Sequence, residues 1–237
     1  MKNILVCKNC TADNPLFAYT CKKCYAFLRA KIPNIDFWNI LALLLESPVR
    51  ATENIIQSDH KNYIITLSII LGIKISINAW VINNALLLSN TIANNFVISI
   101  VIGLCGFLLG IAFVSLLAVY TAKFLNIQTR FKDFFSIYIY SFIPVVVLFV
   151  FITPIQIALF GTYWFTFNPS PFIIKNIPSY IITVIEGVFF LWSFFLTIIV
   201  NYTQIRKILF AFCFSIIQLI IIGFIIFLSL YLFHIMN

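Results

Sequence analysis

Five stretches of the chain are almost unbroken in apolar character, with the polar residues gathered between them. They run approximately from Asn62 to Asn83, Phe96 to Ala122, Phe134 to Phe160, Tyr180 to Asn201, and Ile208 to Phe233. A helix that crosses a bilayer needs about 20 apolar residues, so each stretch predicts one membrane-spanning helix. Pro144 and Pro154 fall inside the third stretch. Each removes a backbone donor, which predicts kinks at those points.

Ahead of the first stretch the pattern takes on helical spacing. Between Asp36 and Glu46, Phe37, Trp38, Ile40, Leu41, Leu44 and Leu45 recur on one face, behind Pro33-Asn34 as an N-cap. This segment is too short to span and suits the headgroup interface, with Trp38 as anchor. Ser47-Pro48 predicts the start of a second amphipathic helix running to about Gln57, a cap residue followed by proline at the first helical position. Asp59-His60-Lys61 then marks the entry to the bilayer.

Composition agrees with the pattern. Of 237 residues, 62% are hydrophobic and 9% charged, where an ordinary soluble domain carries about 25% charged residues. The expected fold class is therefore an all-α polytopic membrane protein: five transmembrane helices preceded by interfacial amphipathic helices and a small zinc ribbon. The expected divisions are 1–31 (ribbon head), 32–61 (interfacial helices) and 62–237 (five-span domain). No cleavable signal is expected after Lys2, since only Ile4, Leu5 and Val6 precede a cysteine pair.

The net charge of +8 is a matter of topology before it is one of partners. Eight of the fifteen Lys and Arg precede the first span, Lys123, Arg130 and Lys132 follow the second, and Arg206 and Lys207 follow the fourth. The other side carries Lys175 alone, and the connection from Asn84 to Asn95 has no charge. Positive residues stay inside, which predicts a cytosolic N-terminus and an outside C-terminus, in the plasma membrane of a prokaryote. No pattern of aromatic and basic residues suggests a nucleic-acid partner.

The most specific chemical signal lies in the head. Cys7-Lys-Asn-Cys10 and Cys21-Lys-Lys-Cys24 are two C-x2-C pairs separated by ten residues, the spacing by which two knuckles offer four thiolates to one tetrahedral zinc. Asn14-Pro15 supplies the turn between them. So few residues cannot fold on apolar burial alone, so a structural metal would supply the folding free energy. A pair of disulfides or a redox C-x-x-C is the competing reading. Cys105 and Cys213, inside apolar stretches, read as small core residues.

From Cys7 to Leu28 the chain resembles the prokaryotic zinc-ribbon family, with Ala12-Asp13-Asn14-Pro15-Leu16-Phe17-Ala18-Tyr19 in the family's middle segment. It departs where that family places glycine, which relieves strain at positive φ; here Thr11 and Tyr25 stand at those positions. From Asn34 onward the organisation is similar to the Yip domain family in its prokaryotic form. The residues that carry this are Asp36-Phe37-Trp38 to Leu45, Glu46 to Ile56, and Lys123 to Phe131 leading into Tyr138-Ile139-Tyr140-Ser141-Phe142-Ile143-Pro144. Asn126-Ile127 stand where that family prefers glycines. The resemblance implies five spans; in eukaryotes such proteins associate with Rab-type GTPases and help organise vesicle traffic, prokaryotic relatives have no assigned activity to carry over, and the ribbon fusion speaks against a Rab-type partner here.

Two formal charges lie inside the predicted spans, Lys74 and Glu186. A charge at the bilayer centre costs about 2.5 to 3.5 kcal/mol on insertion scales, which predicts a Lys74–Glu186 pair between the first and fourth spans, helped by Asn78. Packing glue or snorkelling is the plainer reading. Gln156 and Gln218 are expected to make interhelical hydrogen bonds. No H-E-x-x-H, G-x-S-x-G or paired intramembrane aspartates occur, so no enzyme is expected. The functional expectation is a non-enzymatic protein that organises or recruits an unknown cytosolic protein partner at the lipid bilayer, with self-association into a homo-oligomer also open. The alternative is a transporter or channel component using Lys74 and Glu186.

Overall fold

The computed structural model describes residues 4–87 and 96–236, the side chains of 229–236 excepted. Two short strands, β1 (Ile4–Val6) and β2 (Asp13–Pro15), pair antiparallel, Leu5 opposite Asn14. Asn14-Pro15 thus sits in a strand, and the chain turns just after it, where the Ala18 N–H bonds to the Pro15 carbonyl. The reason is visible in Asn14, which is 1% exposed. Its amide donates to the Ala12 carbonyl at 2.8 Å and accepts from the Lys22 N–H at 2.9 Å, tying the two halves of the head together.

Strand β3 (Ile32–Asn34) pairs parallel with β4 (Ser58–His60). Parallel neighbours need a crossover, and here two helices make it: α1 (Phe37–Glu46) and α2 (Pro48–Gln57). Asp36, rather than the Pro33-Asn34 step, caps α1, its carboxylate accepting from the Trp38 and Asn39 N–H groups at 3.1 and 3.3 Å; Asn34 is occupied in β3. The apolar residues of α1 divide between two sides: Ile40 and Leu44 are buried, whereas Trp38 and Leu45 are exposed. Ser47 stands at the cap position of α2, with Pro48 at its first turn and no side-chain capping bond.

The long helices follow: α3 (Ile64–Leu87), α4 (Phe96–Phe124), α5 (Phe131–Ser141), α6 (Ile143–Val147), α7 (Thr153–Phe160), two single turns α8 (Tyr163–Thr166) and α9 (Pro171–Ile174), α10 (Asn176–Ile205) and α11 (Ile208–Met236). Five segments are long and apolar enough to cross a membrane: Ile64–Ala85, Phe96–Phe124, Ile143–Phe160, Asn176–Ile205 and Ile208–Leu228. The expected third stretch from Phe134 is interrupted. Helix α5 stops at Ser141, Phe142 takes φ −90 and ψ 7, and Pro144 opens the next turn. A wider-wound π segment, Leu148–Ile152, then precedes Pro154. A proline ring clashes with the carbonyl four residues before it, so loosening the preceding turn is the local remedy. The connection after Asn84 was expected to extend to Asn95; residues 88–95 lie outside the described residues.

The chain divides into two compact units. One comprises Met1–Ile65, Ala112–Ser141 and Phe195–Gln218; the other comprises Thr66–Ile111, Phe142–Phe194 and Leu219–Asn237. In the first, a buried polar chain links three helices: the Tyr138 hydroxyl donates to Asn201 Oδ1 at 2.8 Å, and Asn201 Nδ2 reaches Ser215 Oγ at 2.8 Å and Gln218 Oε1 at 3.4 Å. In the second, Phe160, Trp164 and Ile182 form a buried apolar cluster. Cys105 and Cys213 are both exposed, so neither is the core residue expected of it. The segments that carry them are apolar all round, and composition there does not mark which side packs.

Candidate metal centre and intramembrane ion pair

The two knuckles of the head are built alike. The Cys7 carbonyl accepts from the Thr11 N–H, and the Cys7 N–H donates to the Ala12 carbonyl; fourteen residues on, Cys21, Tyr25 and Ala26 repeat both bonds. Closing each turn requires the residue after the second cysteine to take positive φ, and Thr11 and Tyr25 do so at 54° and 58°. These are the two positions where the sequence lacks glycine.

This geometry gathers the four sulfurs within 4.8 Å of one another. Cys7 and Cys24 Sγ are 3.5 Å apart, as are Cys10 and Cys21, and all four cysteines are free of disulfides. Four thiolates around one ion at about 2.3 Å place sulfurs roughly 3.8 Å apart, so the donor set fits a single tetrahedral metal ion. Backbone N–H groups of Cys24 and Lys23 hold the Cys21 thiol down to about 6. Those of Cys10 and Asn9 lower Cys7 as well. For Cys10, the Ala12 N–H lowers the pKa, but the Cys24 thiol, burial and the remaining sulfurs outweigh it and push the value up to about 12. Sulfur crowding therefore opposes full deprotonation, and a central divalent cation removes that opposition.

Contacts within the same unit tie the head to the α4–α5 connection and to the end of α2. The Arg130 guanidinium lies over the Phe17 ring at 4.1 Å, Lys22 Nζ bonds Gln128 Oε1, and Arg29 donates to the carbonyls of Phe17 and Gln57 at 3.0 and 2.9 Å. At the end of α2, the carbonyls of Ile55, Ile56 and Gln57 receive Lys61, Arg130 and Arg29. Three cations thus meet the negative end of one helix. Asp133, 1% exposed, balances two of them. No local signal in the sequence assigns Lys61 or Arg130 to the end of α2, since nothing local distinguishes a snorkelling lysine from one buried against a helix end.

In the other unit, Lys74 Nζ lies 2.5 Å from Glu186 Oε1. Lys74 is fully buried and the Glu186 side chain is 17% exposed. The amide that joins them is Gln156, whose Nε2 donates to the same carboxylate oxygen at 2.9 Å; Asn78 was the amide expected there. Ser76, two residues from Lys74, faces Gly103: a Cβ on Gly103 would come within 2.6 Å of Ser76 Oγ, which brings α3 and α4 into close contact. Comparison with protein-family models, with curated proteins and with solved structures yields no match for this chain.

Proposed function

We propose that this chain is a non-enzymatic integral membrane protein that recruits or organises a cytosolic protein partner through its metal-loaded ribbon. In this reading the four cysteines hold zinc, the soft four-sulfur set being the one that ion favours, and the metal supplies folding free energy on the order of 10 to 16 kcal/mol to a head too small to fold alone. The positive-inside arrangement puts the head in the cytosol of a prokaryotic cell, the exposed Trp38 of α1 lies at the lipid surface, and the five spans anchor the whole, as the resemblance to the Yip domain family implies.

The observation that carries this reading is the seating of the ribbon on the α4–α5 connection through Arg130 and Lys22, and on the end of α2 through Arg29. With the head held at Phe17, Lys22 and Arg29, the residues just after its second knuckle stay outward, Tyr25 being 80% and Phe27 85% exposed. The test is photocrosslinking in native membranes from a probe placed at Phe27, comparing the parent with Cys7→Ser/Cys10→Ser. Recruitment predicts a discrete adduct with another protein, lost in the double variant together with one zinc per chain. Identical adducts with and without the cysteines would refute it.

A further inference from the structure

The intramembrane pair carries a feature that an ion pair alone does not need. Gln156 is fully buried and gives its Nε2 to Glu186, while its Oε1 has no hydrogen-bond partner among the described residues. An unpaired buried amide oxygen carries a desolvation penalty that nothing among the described residues of the unit offsets. Beside it, Glu186 Oε1 is already shared by two donors, and the Glu186 side chain is 17% exposed while Lys74 is sealed in. Lys74 stands ten residues past Ile64 and Glu186 ten past Asn176, roughly 15 Å along their helices.

Two hard oxygens, one anionic and one neutral and unfilled, beside a site already occupied by one positive charge, make the donor set of a small monovalent cation. We propose that Glu186 and Gln156 bind an alkali cation for which the Lys74 ammonium is the tethered competitor. On exchange, the cation enters beside the partly exposed Glu186 and the Lys74 ammonium gives up one proton to water, leaving a neutral amine. One positive charge replaces another, so the apolar surroundings see no net change. This inference concerns binding within the bundle and is independent of recruitment through the ribbon.

The test uses the full-length, metal-loaded protein in lipid nanodiscs. Sodium, potassium or choline chloride is added at equal ionic strength in weakly buffered solution, and thermal unfolding and proton release are both followed. The site predicts saturable stabilisation by sodium or potassium and not by choline, with about one proton released per chain. Lys74→Met removes the competitor, so half-saturation falls by about tenfold and proton release disappears. Glu186→Gln abolishes both responses. Should that variant fail to fold, Gln156→Leu keeps the ion pair and must still weaken the alkali effect. Equal responses to alkali and choline salts, or an alkali effect unchanged in Gln156→Leu, overturn the proposal.

Discussion

Asp133 and Lys61 lie seventy-two positions apart in sequence and meet at 3.1 Å, with 1% and 6% of their side chains exposed. The same carboxylate accepts from Arg130 at 2.7 and 3.1 Å. Asp133 is thereby the shared counter-ion of two cations that also hold the end of α2, and one of those cations stacks on Phe17 of the head.

Replacing Asp133 with Asn leaves the buried Lys61 and the partly exposed Arg130 without their anion. Removing one partner of a buried pair costs about 3 to 5 kcal/mol, so Asp133→Asn lowers the thermal midpoint in detergent and exposes the head to protease. Adding Lys61→Met to Asp133→Asn recovers part of that loss. A single variant as stable as the parent would show that the cluster is not a structural centre.

Lys61 sets a pH dependence. Burial lowers its ammonium to about 8 from an ordinary 10.5, against the pull of Asp133. Between those values the unfolded chain binds a proton that the folded chain lacks, so stability rises with pH across that window. Below about 8 both states are protonated and the burial penalty is fully present. Unfolding of the parent and of Lys61→Met, compared from neutral to alkaline pH, should move in the parent's favour as pH climbs from about 8 to about 10; a constant difference would contradict it.

Thr11 and Tyr25 hold positive φ without being glycine. That conformation costs a side-chain-bearing residue about 1 to 2 kcal/mol, part of which glycine gives back through its freer unfolded state. Tyr25→Gly, and Thr11→Gly with it, should therefore retain metal a few-fold more tightly against a competing chelator. The exposed Tyr25 ring makes no packing that this change removes. Weaker retention would mean that the knuckles bend otherwise.

Two glycines in the spans make opposite forecasts. A Cβ on Gly103 meets Ser76 Oγ at 2.6 Å and Ser76 Cα at 3.4 Å, so Gly103→Ala forces α3 and α4 apart at a cost of about 1 to 3 kcal/mol. Gly187 has nothing within 4 Å of its missing Cβ, and Gly187→Ala should leave stability unchanged or raise it by up to about 1 kcal/mol. Denaturation of both variants in one detergent compares them directly.

The segments able to cross a membrane and the four-cysteine cluster were legible in the chain because their causes are local. Length and apolarity decide whether a helix can span, and a three-residue cysteine spacing decides where two sulfurs can point. The break of the third stretch at Phe142 was half legible, since Pro144 announces a kink without saying that α5 ends before it. The division of α1 was not: Ile40 and Leu44 are buried and Trp38 and Leu45 exposed because α2 packs on one side of a helix whose pattern shows only one broad apolar face.

By itself, then, the sequence determined what each segment can be: helices able to span from apolar length, and a four-cysteine cluster able to hold a metal from thiol spacing. Only the tertiary structure decided which groups meet. It gave Asp133 to Lys61 and Arg130, chose Gln156 over Asn78 as the amide on Glu186, and turned Cys105 and Cys213 outward. The physical reason is that segments apolar all round carry no facing signal, and a charge's partner is set by distance in space, where residues seventy or a hundred positions apart become neighbours.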